Sequence, residues 1–457
     1  MFRKILVANR GEIAARIIRA CHAVGAKAVA IYSQADAESP HLKLADETIC
    51  IGPGPSSLSY LNQDAILQAA LQTDCQAIHP GFGFLSEHAR FAQRCRQQRL
   101  TFIGPLPEHI RLMGDKAQAR ETMKNHGVPV LPGSDGLLES TDQAQELADA
   151  MGYPVLLKAT AGGGGKGMRI CRAKDELQKM YHEAAMEAEK AFGNGHLYLE
   201  KFIEGGRHIE FQILADSYNH VIHFGERECS IQRNHQKLLE EAPSSHISDE
   251  LRTSLGNTIV NALQKIGYLN AGTMEFLMDN EGNLYFMEMN TRIQVEHPVT
   301  EMITGTDLVA WQLRIAAGQR LNIAQQDVQI RGHAIECRIN AEDPQKDFKP
   351  APGTIVKYQS PQNSDPQDLR FDTHIAEGYR IPPYYDSMIG KLIVHGTTRQ
   401  AAIERMLHAL EQTQVEGVPT TIKLHQSILN HADFISGQYD CQFLSDHMKQ
   451  LLTEQEA

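Results

Sequence analysis

Two carboxylates and an amide fall where a pair of β-strands would gather them. Gly272-Thr-Met-Glu-Phe-Leu-Met278 and Tyr285-Phe-Met-Glu-Met-Asn290 both read as strands, and Asp279-Asn-Glu-Gly282 between them has turn composition. If that turn is a plain four-residue loop, Glu275 stands opposite Phe286 and shares a face with Glu288 and Asn290. Alternating polar residues most often form a solvated outer face. Here the polar series runs on through Arg292, Gln294 and Glu296 in an otherwise apolar stretch ending at His297. A hard cation such as Mg²⁺ takes oxygen ligands of this kind, commonly while bridging phosphates.

The second chemical signal is Pro154-Val-Leu-Leu-Lys-Ala-Thr-Ala-Gly-Gly-Gly-Gly-Lys-Gly-Met-Arg-Ile-Cys171. Apolar runs flank a glycine-rich stretch, which reads as strand, loop, strand. The consecutive glycines Gly162 to Gly165 let backbone amides turn inward and approach an anion closely. This is not a Walker A loop, because Lys166 is followed by Gly167 rather than Ser or Thr. A flexible linker has similar composition, but linkers are seldom enclosed by two β-rich runs with Lys158 at one shoulder and Lys166 within.

The positioning elements come next. Lys4 to Ala8 reads as a strand, Glu12 to Ala23 as a helix with Ile13, Ile17 and Ile18 apolar, and Lys27 to Tyr32 as another strand. This βαβ start implies a parallel sheet. Gly11 alone makes no dinucleotide fingerprint, which argues against a nicotinamide site. Asp115 to His126 reads as a helix leading into a new unit, and a small module with the glycine loop runs on to about Phe202. Glu204-Gly-Gly206 reads as a hinge or a turn. Later, His333 to Ile339 reads as a strand with Arg338 on the face opposite Ile335, Cys337 and Ile339, and a helix runs from Arg399 to Leu410. Ser360 to Asp368 is polar and reads as an exposed loop.

The bulk numbers bound the class. The chain has 457 residues, enough for about three domains. A net charge of −12 argues against nucleic acid as a partner. Eight scattered cysteines without a Cys-x-x-Cys pair suit reduced thiols in a cytoplasm, and no apolar run approaches a membrane span. The start is immediately strand-like, so no cleaved targeting peptide is expected.

Taken in order, these segments resemble the biotin carboxylase family of the ATP-grasp superfamily over nearly the whole chain. The matching motifs are Ile5-Leu-Val-Ala-Asn-Arg-Gly-Glu-Ile13, His79-Pro-Gly-Phe-Gly-Phe-Leu-Ser-Glu87, Gly114-Asp-Lys116, the glycine loop, and Glu226-Arg-Glu-Cys-Ser-Ile-Gln-Arg-Asn-His-Gln-Lys237. They continue with Met289-Asn-Thr-Arg-Ile-Gln-Val-Glu-His-Pro298, Gly332-His-Ala-Ile-Glu-Cys-Arg-Ile-Asn340, Phe348-Lys-Pro-Ala-Pro-Gly353 and Pro382-Pro-Tyr-Tyr-Asp-Ser-Met-Ile-Gly-Lys391. The resemblance implies an α/β and α+β multidomain chain with an ATP-grasp fold. It places a parallel-sheet N-terminal domain at 1–113, an ATP-grasp domain at 114–330 with a mobile glycine-loop lid at about 131–203, and a β-rich C-terminal domain at 331–457.

It also implies ATP-dependent carboxylation of biotin by bicarbonate through carboxyphosphate. Nucleotide contacts carry over to Lys116, Lys158, Gly163, Gly164, Gly165, Glu200, Lys201, Ile203, His208, Gln232 and His235. Glu275, Glu288 and Asn290 match metal positions for Mg²⁺ or Mn²⁺, the two glutamates also counting among the nucleotide contacts. Lys237, Arg292, Gln294, Val295 and Glu296 match the bicarbonate site, with Glu296 as general base; Arg292 and Glu296 could equally form a structural ion pair. Arg338 matches the residue that stabilises charge on the biotin oxygen, and Lys237, Arg292, Glu296 and Arg338 form the expected catalytic set.

No biotin-acceptor segment is recognisable, so biotin is expected in trans on a biotin carboxyl carrier protein, with carboxyltransferase subunits as further partners and homodimerisation implied by the resemblance. Acetyl-CoA carboxylase is the first expectation. Pyruvate, methylcrotonyl-CoA and urea carboxylase systems, another ATP-grasp ligase and a non-catalytic relative are the alternatives. Departures from the family pattern are Phe82 for a usual Tyr, Ala161 at the entry to the glycine loop, and Val418-Pro-Thr-Thr421 for a more usual Thr-Asn pair, the last expected to lie outside the site.

Overall fold

The computed structural model of the chain describes residues 1–134, 136–159, 167–362 and 368–453. Gly163, Gly164, Gly165, Ala161, Lys166 and residues 363–367 of the expected loop lie outside the described residues. The chain divides into two compact units: 1–114, 207–275 and 289–457 form the first, and 115–206 with 276–288 the second.

The first unit opens with strands β1 (Lys4–Val7), β2 (Lys27–Tyr32), β3 (Glu47–Cys50), β4 (Ala77–His79) and β5 (Thr101–Phe102), parallel in the order β3-β2-β1-β4-β5. Alternation divides β1 between two cores. Ile5 and Val7 join Ile13, Ile17 and Ile18 of helix Gly11–Ala23, while Leu6 joins Ile31, Ile66 and Phe91 on the other face. Coverage on both faces is what a parallel sheet requires. In the loop after β4, Gly81 has φ +64° and a Cβ there would meet the Asn9 amide at 2.9 Å, so glycine is needed twice over.

In the second unit, β6 (Val155–Ala159) lies between β7 (Met168–Cys171) and β8 (Leu197–Lys201), antiparallel to both. The two strands expected around the glycine loop are therefore a paired hairpin. Val155, Leu157, Leu197 and Leu199 pack under helices Thr141–Met151 and Lys174–Phe192, with Ala144, Leu177 and Ala184. The opposite face then carries Lys158 opposite Tyr198, and Leu156 opposite Glu200.

The chain returns to the first unit at Arg207, directly after Glu204-Gly-Gly206. Strands β9 (Arg207–Ala215), β10 (Val221–Arg233), β11 (Gln236–Ala242), β12 (Asn270–Met278), β13 (Leu284–Asn290) and β14 (His333–Asn340) join strands Leu369–Thr373 and Met388–Gly396 in one sheet. The order runs β13-β12-β9-β10-β11-β14, then Met388–Gly396 and Leu369–Thr373. β12 and β13 cross the division of the chain, so Glu275 belongs to the first unit and Glu288 to the second. Their turn is tighter than a four-residue loop: the Asp279 amide donates to the Asn283 carbonyl at 3.0 Å, leaving Asn280, Glu281 and Gly282 between them.

The two faces of β14 explain the site. Ile335, Cys337 and Ile339 enter the core with Leu392, Val394 and Met406. On the other face Ala334 packs with Ile393 against Val299 and Ile303 of helix His297–Thr304, and Arg338 lies on this side, next to the residues that lead into that helix.

Candidate active site

Lys237, on β11, sits among three carboxylates: its Nζ lies 2.6 Å from Glu210 Oε2, 2.7 Å from Glu296 Oε1 and 3.2 Å from Glu275 Oε1. Burial lowers the lysine, but Glu210, Glu275 and Glu296 more than offset this and hold it well above its ordinary range. Arg338 reaches the same carboxylate from the other side, with Nη2 2.9 Å from Glu296 Oε2 and Nε 2.6 Å from Glu240 Oε1. Glu296 is wholly buried. Burial alone would raise its carboxyl; Lys237, Arg338 and Arg227 outweigh that and hold it well below the usual carboxylate range. Glu240 takes the closer contacts of Arg338, yet burial, with Glu296 nearby, raises its carboxyl to about 7.

A second layer links the remaining polar residues. The Asn290 amide donates to Glu275 Oε1 at 2.7 Å and that of Gln294 at 3.2 Å. His208 Nε2 is 3.1 Å from Glu275 Oε2. Burial raises Glu275, but Lys237 and His208 pull it far below its ordinary value. Arg292 donates to Gln294 Oε1 at 2.8 Å and to Asn290 Oδ1 at 3.0 Å, and pairs with Glu87 at 2.8 Å. Glu87, not Glu296, is thus its ion-pair partner.

The structure therefore brings together Lys237, Glu275, Asn290, Arg292, Gln294, Glu296, Arg338 and His208. Val295 takes part through its carbonyl, which accepts from the buried Lys391 at 2.6 Å. Gln232 stands opposite Lys237 in the β10–β11 pair, its side-chain amide donating to Cys441 Sγ at 3.2 Å. His235 is exposed in the β10–β11 turn, where Asn234 and His235 both have positive φ, as a tight two-residue hairpin demands. Cys229 is buried with its thiol pushed well up, an inert setting.

The other nucleotide candidates lie in the second unit. Lys158 Nζ is 2.5 Å from Glu200 Oε2, the diagonal neighbour its register allows. Lys116 Nζ is 3.0 Å from Glu288 Oε2. Lys201 turns its ammonium to the carbonyls of Gly152 and Tyr153, at 3.0 and 3.2 Å. Lys201 and Ile203 help line a cavity of about 350 Å³ with Leu131, Pro154 and Tyr285.

Glu210, Glu240, Arg227, Glu87 and Lys391 were missed from the sequence. Glu87, Arg227 and Lys391 lie inside recognised motifs; Glu210 and Glu240 needed the strand pairing. Thr421 corrects an expectation, because its hydroxyl donates to the Arg338 carbonyl at 3.0 Å and His425 Nε2 lies 2.7 Å from the same oxygen. That segment supports the site. The Phe82 ring retains a place beside Lys391, 5.9 Å from its ammonium. Among the described residues His431, Asp433 and His447 also form a ligand-like cluster, but His431 Nδ1 accepts the Asp433 amide at 3.3 Å as a helix cap.

No helix among the described residues is long and apolar enough to cross a membrane. The biotin carboxylase N-terminal domain model matches residues 1–110, the ATP-binding domain model of the carbamoyl-phosphate synthase L chain matches 115–324, and the biotin carboxylase C-terminal domain model matches 336–446. A biotin carboxylase from Nostoc is 56% identical over 448 residues, 98% of this chain and 100% of that protein. A chloroplastic biotin carboxylase from Arabidopsis thaliana is 55% identical over 99% of this chain and 84% of its own length, so relatives are not confined to a cytoplasm. The crystal structure of the biotin carboxylase domain dimer of Hydrogenobacter thermophilus 2-oxoglutarate carboxylase, in complex with MgADP, ADP and bicarbonate, superposes with a TM-score of 0.91 at 52% identity, covering 99% of both chains. With these matches spanning the fold and the motifs that build the cluster around Glu296, the chain belongs to the biotin carboxylase family of ATP-grasp enzymes.

Proposed function

We propose that the chain carries out the biotin carboxylase half-reaction of an acetyl-CoA carboxylase. The enzyme class is an ATP-dependent ligase that carboxylates biotin with bicarbonate. The observation that carries the site assignment is Glu296, a buried carboxylate held between Lys237 and Arg338 at 2.7 and 2.9 Å, with Arg292 joined to the cluster through Gln294 and Asn290.

On this reading bicarbonate binds against Lys237, Arg292, Gln294 and the Val295 backbone. Arg292 offers a planar fork suited to a carboxylate-like anion. Glu296 accepts the bicarbonate proton as general base. At rest it is too well stabilised to be a strong base, but an anion entering beside Lys237 and Arg338 competes for their charge and raises it. The deprotonated oxygen attacks the terminal phosphorus of ATP, forming carboxyphosphate and releasing ADP. Carboxyphosphate then yields CO₂ and phosphate beside the biotin ureido nitrogen. Arg338 stabilises negative charge on the biotin oxygen as that nitrogen passes its proton to the released phosphate and bonds to CO₂, giving carboxybiotin.

Lys116, Lys158 and the loop 163–165 would hold the phosphates. Glu200, Lys201 and Ile203 would meet adenine, and His208, Gln232 and His235 would complete the nucleotide site. Glu275, Glu288 and Asn290 are an all-oxygen donor set, which fits Mg²⁺ or Mn²⁺. A bound divalent cation would offset phosphate charge. The domain limits 1–113, 114–330 and 331–457, with the lid at 131–203, accompany this reading.

Biotin would arrive on a biotin carboxyl carrier protein, with carboxyltransferase subunits completing the cycle and a homodimer as the working state. All eight cysteines are free, which suits a reducing compartment such as a cytoplasm. The test is phosphate release from ATP with Mg²⁺ and bicarbonate, with and without free biotin. Strong stimulation by biotin, with carboxybiotin formed, is expected. Release indifferent to biotin would point to another ATP-grasp ligase. Reconstitution with carrier and carboxyltransferase subunits, comparing acetyl-CoA with pyruvate, tests the acceptor.

A further inference from the structure

Lys391 is wholly buried, and none of the roles assigned above uses it. It stands directly opposite Arg338 on one neighbouring strand and opposite Asp372 on the other. Its Nζ donates to the Val295 carbonyl at 2.6 Å and pairs with Glu12 Oε1 at 3.3 Å. A buried ammonium is costly unless paired and hydrogen-bonded, and Lys391 meets both conditions. The shorter of its two contacts is to a backbone carbonyl.

That carbonyl belongs to the peptide joining Val295 to Glu296, and Glu296 is the residue from which helix His297–Thr304 starts. Fixing this peptide plane fixes the direction in which the Glu296 side chain leaves the backbone. Arg338, one strand away, holds the carboxylate at the other end of the same residue. Two cations on paired strands thus grip the two ends of Glu296.

We propose that Lys391 is a positioning residue: by anchoring the Val295 carbonyl it sets the Glu296 carboxylate between Lys237 and Arg338, where bicarbonate would bind. The inference rests on the bicarbonate reading of that site. Side chains that hold a reacting group to within a fraction of an ångström govern rate without touching substrate.

Two variants separate positioning from charge balance. Lys391→Arg keeps a cation against Glu12 but misplaces the donor. Lys391→Met in a Glu12→Gln background removes the buried charge pair together with the donor, and is compared with Glu12→Gln alone. Both are expected to raise the bicarbonate KM and lower kcat/KM for bicarbonate by about 10- to 100-fold, with the ATP KM and Tm close to the reference protein. Wild-type bicarbonate kinetics in Lys391→Arg would reduce Lys391 to a counter-ion and overturn the proposal. So would a joint rise of both KM values with a lowered Tm. If the unaltered enzyme shows no bicarbonate dependence, the underlying reading of the site fails instead.

Discussion

The Thr421 hydroxyl bridges two backbone groups of the strand that carries Arg338: it donates to the Arg338 carbonyl and accepts the Asn340 amide, each at 3.0 Å. The need for this bridge is local. The pairing of β14 with Met388–Gly396 shifts register between Ile339 and Asn340, and helix Ile422–Asn430 supplies His425 to the same Arg338 carbonyl. The residue that departs from the family pattern therefore fixes the backbone beneath a proposed catalytic arginine.

Thr421→Val keeps the shape and removes both bonds. It leaves the Asn340 amide unpaired, so a loss of about 1–3 kcal/mol in stability is expected. Carboxylation should slow while ATP binding holds, and Thr421→Asn should recover most of the rate. Thermal unfolding together with biotin-dependent phosphate release checks this; equal rates for Val and Thr would show that the bridge does not serve Arg338.

Arg338→Ala should spare ATP binding and slow carboxylation by roughly 10²–10³-fold, the scale for loss of one preorganised oxyanion donor. The same change removes a cation from Glu296 and Glu240, so bicarbonate-dependent ATP cleavage should decline as well. Unchanged turnover with biotin would remove Arg338 from the site.

Much of this was legible in the sequence because alternation and motif order are local properties. The period of β14 put Arg338 on the face away from Ile335, Cys337 and Ile339, and the composition around the glycine loop gave the β6–β7 pair. What was not legible depends on which strands become neighbours. Glu240 meets Arg338 because β11 pairs with β14, and Lys391 meets Val295 because Met388–Gly396 lies next to β14. The contact of Thr421 with the Arg338 carbonyl is hidden for the same reason, since nothing local to Val418–Thr421 reveals it. The turn after Met278 tightened because the Asp279 carboxylate accepts the amides of Glu281 and Asn283 at 3.0 and 2.8 Å, drawing the loop in by one residue.

Glu228 gives a pH prediction with a definite sign. Burial, then the nearby Glu241, raises its carboxyl from 4.5 to about 7. Between those values the native state holds a proton that the unfolded chain has released, so stability contributed at Glu228 falls as pH rises from 4.5 to about 7 and is constant above it. Glu228→Gln imitates the protonated form and removes this slope. Relative to the unaltered protein, the variant should gain on the order of 1–3 kcal/mol between pH 5 and pH 8. Unfolding curves at the two pH values measure the gain, and a variant tracking the wild type at both would place the Glu228 carboxyl in the ordinary range.

Glu288 offers a clean test of the metal assignment because little else depends on it. Its side chain is 37% exposed and its ion-pair partner Lys116 is 65% exposed, so the pair adds at most about 1 kcal/mol. Glu288→Gln should therefore leave Tm nearly unchanged. It keeps an oxygen but removes a negative charge, and a hard cation is held chiefly by charge and oxygen number. The Mg²⁺ concentration giving half-maximal turnover should rise about 10-fold, while ATP binding without Mg²⁺ stays the same or improves as repulsion of the phosphates is relieved. Chelation should abolish turnover in both proteins, and excess Mg²⁺ should restore the variant more than halfway. A Mg²⁺ titration superimposable on that of the unaltered enzyme would show that Glu288 is only a surface partner of Lys116.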